Sequence, residues 1–133
     1  MTLALRQALD VAGFQSVKLH LADASTLKKG VEFLQDFRRS PEAWARIDFA
    51  ATHLYDFQDF FTNPDGFDER IASWNALTDR KPFLSTELCV NHSKYQTDSY
   101  RLALAMGQLY HKNLALLDTV AICYCWMLLN VEQ

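Results

Sequence analysis

The sequence predicts an α/β fold built from parallel strands, and three observations carry that expectation. Apolar, β-prone runs alternate along the chain with segments of helical periodicity. A helix separates each strand from the next, so neighbouring strands pair in parallel through right-handed crossovers. The strands read as nearly continuous apolar runs, as expected where both faces are covered. At 133 residues, 50% hydrophobic and 22% charged, the chain is sized for one globular domain with a real core.

The elements follow in order. LALRQALDVAG (3–13) sets Leu3, Leu5, Ala8, Leu9 and Ala12 on one broad helical face, with Gly13 as a C-terminal stop. SVKLHLADAS (16–25) reads as a strand. Residues 26–38 form a helix with Leu27, Val31, Leu34 and Phe37 at helical spacing. SPEAWARI (40–47) starts a further turn or helix, with Ser40 as cap and Pro41 in the first position. IDFAATHLYD (47–56) is a strand, FQDFFTNPDG (57–66) an aromatic loop and FDERIASWNALTD (67–79) a helix. KPFLSTELCV (81–90) is the third strand and NHSKYQTD (91–98) a polar loop, with Asp98 capping the long helix of 99–118. TVAICYCWMLL (119–129) is the last strand, and Trp44 and Trp74 on helical segments read as outer packing. This α-β-α-β-α-β-α-β order fits either a small open doubly wound sheet or four β/α units of a (β/α)8 barrel, and periodicity does not separate the two.

Several function classes are disfavoured. The net charge is −3 without any basic run, which argues against nucleic acid as a partner. No apolar run approaches the roughly 20 residues of a membrane helix, so no membrane association is expected. The N-terminal segment carries Arg6 and Asp10 at helical spacing and lacks a clear cleavage site. It reads as a folded helix, not a signal peptide, with a cytoplasmic location expected if the chain is complete. Cys89, Cys123 and Cys125 form no CxxC pair and read as small buried hydrophobes. Four scattered glycines build no phosphate loop, and GxSxG, HExxH and Cys/His groupings are all missing, so no cofactor or metal is expected.

In either architecture chemistry collects at the C-terminal ends of parallel strands. Those ends bring His20 and Asp23, then His53, Tyr55 and Asp56, then Glu87, then Trp126 and Asn130. Strand alternation puts His53 with Tyr55, and Ser85 with Glu87, on common faces. Carboxylate, imidazole, phenol and indole together suit a polyhydroxylated ligand, because acids and imidazoles take hydroxyls and an indole stacks on a sugar ring. Asn91, His92, Lys94 and Tyr95 follow Glu87 in the next loop, and Asn91 is included among the candidate ligand contacts. Phe57, Phe60 and Phe61 read as cover for the rim, and Asp23 with Ser25 as a cap for the next helix.

Three stretches in order, THLYD (52–56), KPFLSTE (81–87) and AICYCWMLL (121–129), resemble the C-terminal half, strands five to eight, of a clan A retaining glycoside hydrolase, closest to families 30 and 39. The resemblance spans nearly the whole chain. It implies half of a (β/α)8 TIM barrel, O-glycosyl hydrolysis with Glu87 as nucleophile, Tyr55 and His53 beside it, and Trp126 as a platform beneath the sugar. The family's acid/base glutamate, usually in an Asn-Glu pair at the end of strand four, has no counterpart here. A full barrel takes about 250 residues. The implied partners are a carbohydrate substrate and either a second copy of the chain or a missing N-terminal half barrel. A non-catalytic carbohydrate-binding or interaction module is the alternative expectation.

Overall fold

The computed structural model describes residues 1–56, 64–88 and 99–125. Its elements are α1 (Thr2–Val11), β1 (His20–Ala24), α2 (Leu27–Phe37), α3 (Pro41–Trp44), β2 (Phe49–Thr52), α4 (Pro64–Thr78), β3 (Phe83–Leu88), α5 (Ser99–Leu116) and β4 (Thr119–Tyr124). The expected alternation of helices and strands is present. The four strands form one sheet in the order β1-β2-β3-β4, and every pairing is parallel. When each right-handed crossover moves one strand in the same direction, all the helices fall on the same face.

The core agrees with that geometry. Leu27 and Leu34 of α2, Phe67, Ile71 and Trp74 of α4, and Ala105 and Leu109 of α5 join Ala50, Phe83 and Leu88 of the strands in one buried cluster. Leu21 and Ile122 pack beside it. Strand residues of the opposite parity, among them Phe49, Leu84, Ala121 and Cys123, lie outside this cluster, and Ala121 and Cys123 are exposed. The described helices thus cover one face of the sheet, its outer face, and on the other, inner face Ala51 is buried, Phe49 and Leu84 are half-buried and only the β4 residues Ala121 and Cys123 are exposed. This corrects the reading of Cys123 as buried; Cys125 is half-buried.

Local chemistry sets the element ends. Gly13, at φ +86°, ends α1: its N–H bonds Asp10 O at 3.2 Å and the Phe14 N–H reaches back to Leu9 O at 2.8 Å. That is the double bond of a Schellman cap. Contrary to its amphipathic pattern, α1 buries no residue. Ser40 accepts from the Ala43 N–H at 3.4 Å, with Pro41 in the first turn of α3. The strands are shorter than expected. Residues 16–19 precede β1, so His20 starts that strand and does not share its C-terminal end with Asp23.

Trp44 and Trp74 are core residues, not outer packing. Trp74 meets Phe83 edge-on, with centroids 5.4 Å apart. Trp44 donates its indole N–H to Asp79 at 2.8 Å, while Arg38 and Lys81 sit 4.9 and 4.8 Å from its ring. The Arg38 guanidinium bound to Asp79 holds that carboxyl below its usual range.

Candidate functional site

The C-terminal ends of β1, β2 and β3 carry the densest chemistry described. Past Thr52 the chain stays pinned between its neighbours. The His53 N–H bonds Ala24 O at 2.7 Å, Leu54 N–H bonds Glu87 O at 3.3 Å and Tyr55 N–H bonds Ser25 O at 3.2 Å. This ladder continues beyond β2 and buries Leu54 in the outer core, while Tyr55 packs against that cluster and carries its hydroxyl to Glu87.

In β3 the side-chain alternation slips. Ser85 and Leu88 are both buried, and the β3–β4 register shifts between them. The two residues between, Thr86 and Glu87, both address the inner face, as a bulge allows. Thr86 donates to Asp23, and Glu87 meets Tyr55 and His53. Ser85 and Glu87 therefore do not share a face, and the expected pairing of the two fails because of this irregularity.

The resulting cluster is compact. The Tyr55 hydroxyl donates to Glu87 Oε1 at 2.5 Å. His53 Nε2 lies 3.5 Å from Glu87 Oε2 and 3.6 Å from Asp23 Oδ1. The His53 and Tyr55 rings meet edge-on at 5.7 Å. The His53 side chain is 21% exposed, that of Glu87 36% and that of Asp23 46%, so the group opens to solvent while its members stay in contact. One donor already orients Glu87, and its second oxygen faces the imidazole. A carboxylate so held can accept hydroxyls of a ligand or attack an electrophilic carbon.

Sequence reasoning named Glu87, His53 and Tyr55, and the fold brings them together. Trp126 and Asn91 lie outside the described residues, as do Asn130, Cys89, Asp98, His92, Lys94, Tyr95, Phe57, Phe60 and Phe61. Asp23 does not cap α2. It stands at the rim with φ +46°, after Ala22 at φ +88°. Such angles are uncommon away from glycine, and Asp tolerates them better than Ala. Thr86 went unremarked in the sequence; the S-T-E run that contains it was the available signal.

The α2 cap is made elsewhere. Thr26 accepts from Lys29 N–H at 3.1 Å, and buried Asp56 accepts from Leu27 and Lys28 N–H at 3.2 Å each. Arg70 lies 3.4 Å from the Asp56 carboxylate. Burial pushes the Asp56 carboxyl up, against the opposing pull of those N–H groups and Arg70. Asp56 thus ties the end of β2 to α2 and stands apart from the carboxylate cluster.

Among the described residues no group of three His, Cys, Asp or Glu side chains is arranged to hold a metal, and no helix is long and apolar enough to cross a membrane. Two surface hollows, one beside Leu3, Leu21 and Phe37 and one beside Arg6, Lys18 and Asp48, include none of the cluster residues. Comparison with protein-family models, curated proteins and solved structures finds no match to this chain.

Proposed function

We propose that the chain is the nucleophile-bearing half of a retaining glycosidase barrel, with Glu87 as the nucleophile, Tyr55 as the donor that orients it and His53 as a contact for sugar hydroxyls. The observation that carries the reading is the Tyr55–Glu87 bond at the tips of neighbouring parallel strands, with His53 against the second carboxylate oxygen. The barrel part has separate support. The sequential strand order lacks the reversal on which doubly wound sheets are built. In addition, Thr86 of β3 bonds Asp23 of β1 across β2. In a flat sheet those two strands would lie roughly 9.5 Å apart, beyond the reach of two short side chains, so the bond favours a sheet that curls toward its inner face.

Glu87 would attack the anomeric carbon as the bond to the leaving oxygen breaks, forming a glycosyl ester that water then hydrolyses. An ordinary alkoxide leaving group needs a proton, and general acid help is typically worth about 10²–10⁴-fold. The other described carboxylate facing the inner rim, Asp23, is engaged with Thr86 and His53. Activated substrates bypass that need. Incubating the chain with 2-deoxy-2-fluoro glycosides bearing a dinitrophenolate leaving group, over a panel of common pyranoses, is expected to add one glycosyl mass to the peptide containing Glu87. Glu87→Gln should abolish the adduct, and Tyr55→Phe should slow it by about tenfold, the loss of one charge-assisted hydrogen bond. No adduct with any sugar, or an adduct that survives Glu87→Gln in a folded variant, overturns the nucleophile.

The commitment of Asp23 to its neighbours favours one second reading, a carbohydrate-binding module without turnover. Saturable binding of an oligosaccharide by calorimetry, with no adduct on Glu87, would be its signature.

A further inference from the structure

We propose that Asp23 is a positioning residue of the rim, braced by Thr86 so that it shares the Nε2–H of His53 with Glu87 and keeps that hydrogen bond when the Glu87 carboxylate is consumed. The sharing stands on geometry, and its role in turnover rests on the reading of Glu87 as the nucleophile. His53 Nε2 lies 3.5 Å from Glu87 Oε2 and 3.6 Å from Asp23 Oδ1, so one nitrogen faces two acceptors of nearly equal claim. Among the described residues no other side chain able to carry positive charge is paired with either acid.

Asp23 is held in place against its local preference. Ala22 and Asp23 stand at φ +88° and +46°, and left-handed angles at two successive non-glycine residues persist only where the surrounding contacts over-determine them. Ala22 pairs with Ala51 and Ala24 with Thr52, which leaves Asp23 as the unpaired residue of a bulge. Its carboxylate turns toward β3, where Thr86 donates to it. Thr86 itself lies in the register slip of β3, next to Glu87. Irregularities in β1 and β3 thus meet through one hydrogen bond across β2, and His53, just past the end of β2, faces both acids. An acid that was merely solvated at the rim would need neither bulge nor brace.

The arrangement has a use in the covalent step. When a Glu87 oxygen forms its bond to the anomeric carbon, the leaving group departs with the old bonding pair and the carboxylate charge is lost to the ester. A His53 N–H bonded to Glu87 alone would lose its ionic acceptor at that moment. Asp23 offers an acceptor whose charge the step does not consume. The N–H turns to it, and no proton changes hands. Before the step, the same sharing leaves the Glu87 carboxylate less committed to His53.

Two measurements test this. At mildly alkaline pH the ring-nitrogen magnetic resonances of His53 report its tautomer. Wild type is expected to carry the hydrogen on Nε2, and Asp23→Asn and Glu87→Gln each to admit part of the Nδ1–H form. Hydrogen on Nδ1 in the wild type, or a tautomer indifferent to Asp23→Asn, overturns the inference whatever the sugar chemistry. With the fluoro glycoside that labels Glu87, Asp23→Asn should cut the limiting rate of adduct formation by about tenfold, the loss of one charge-assisted hydrogen bond, at an unchanged half-saturating concentration. Thr86→Val should slow the reaction in the same way and Thr86→Ser restore it, a rescue that general loosening of the sheet would not show. Equal rates in wild type and folded Asp23→Asn overturn the role in turnover and leave Glu87 as the nucleophile. A wild type that forms no adduct overturns the Glu87 reading and that role with it, and the tautomer still decides the sharing.

Discussion

Asp56 closes the THLYD stretch at this rim, yet its work is structural. Its two oxygens take the N–H groups of Leu27 and Lys28, donors that a helix start leaves without intrahelical partners. Asp56→Ala should cost about 1–2 kcal/mol, the range for losing a helix cap, measured by urea unfolding near neutral pH. The pH dependence has a definite sign. The folded-state pKa is raised above the ordinary value of 3.8, so the folded protein holds this proton more tightly than the unfolded chain. The contribution of Asp56 is then greatest below pH 3.8 and declines as pH rises through the folded pKa. Asp56→Asn, which keeps one acceptor and removes the charge, should therefore gain on wild type as pH rises across that window. A difference between the two that is flat with pH would rule out the burial effect.

Gly30 shows the same economy at the scale of elements. It lies where α2 meets α4, and a Cβ there would stand 2.5 Å from the Trp74 ring and 3.2 Å from Thr52 Oγ1. Two effects compete in Gly30→Ala. Helix propensity favours alanine by about 1 kcal/mol. Overpacking opposes it by about 1–3 kcal/mol, and the 1% exposed Trp74 ring, edge-on to Phe83, has little room to give. Net destabilisation of up to about 2 kcal/mol is expected in thermal or urea unfolding. An unchanged or raised midpoint would mean that the α2–α4 contact is looser than described. Helices were the most legible elements, because Ser40, Pro41 and Gly13 announce their ends by chemistry that acts within a few residues. Strand ends were less so. Nothing in SVKLHLADAS signals that residues 16–19 stay outside the sheet, and nothing in PFLSTEL signals the slip that separates Ser85 from Glu87.

For the whole molecule, periodicity supplied the alternation of helix and strand but not the strand order. Order depends on which edges pair, and that information is spread over the whole chain. The site divides along the same line. Glu87, His53 and Tyr55 were found because each stands at a strand tip within a short motif. Asp23 reads either as a rim residue or as a cap, and local spacing does not decide between them because its partner Thr86 is 63 residues away. The apolar face of α1 reads as core, yet no residue of that helix is buried, since the helical pattern records that a face wants covering and not whether this chain covers it.

The exposed Cys123 gives the inner side of β4 a built-in chemical reporter. A thiol there is reached by a small disulfide reagent, and whatever comes to cover that side of the strand shields it. The half-buried Cys125 serves as a slower internal comparison. Cys123 should therefore be modified before Cys125, and a ligand or partner that seats over β4 should slow the first reaction. A thiol-labelling time course would thus read cover over this face directly, with no engineered residue added.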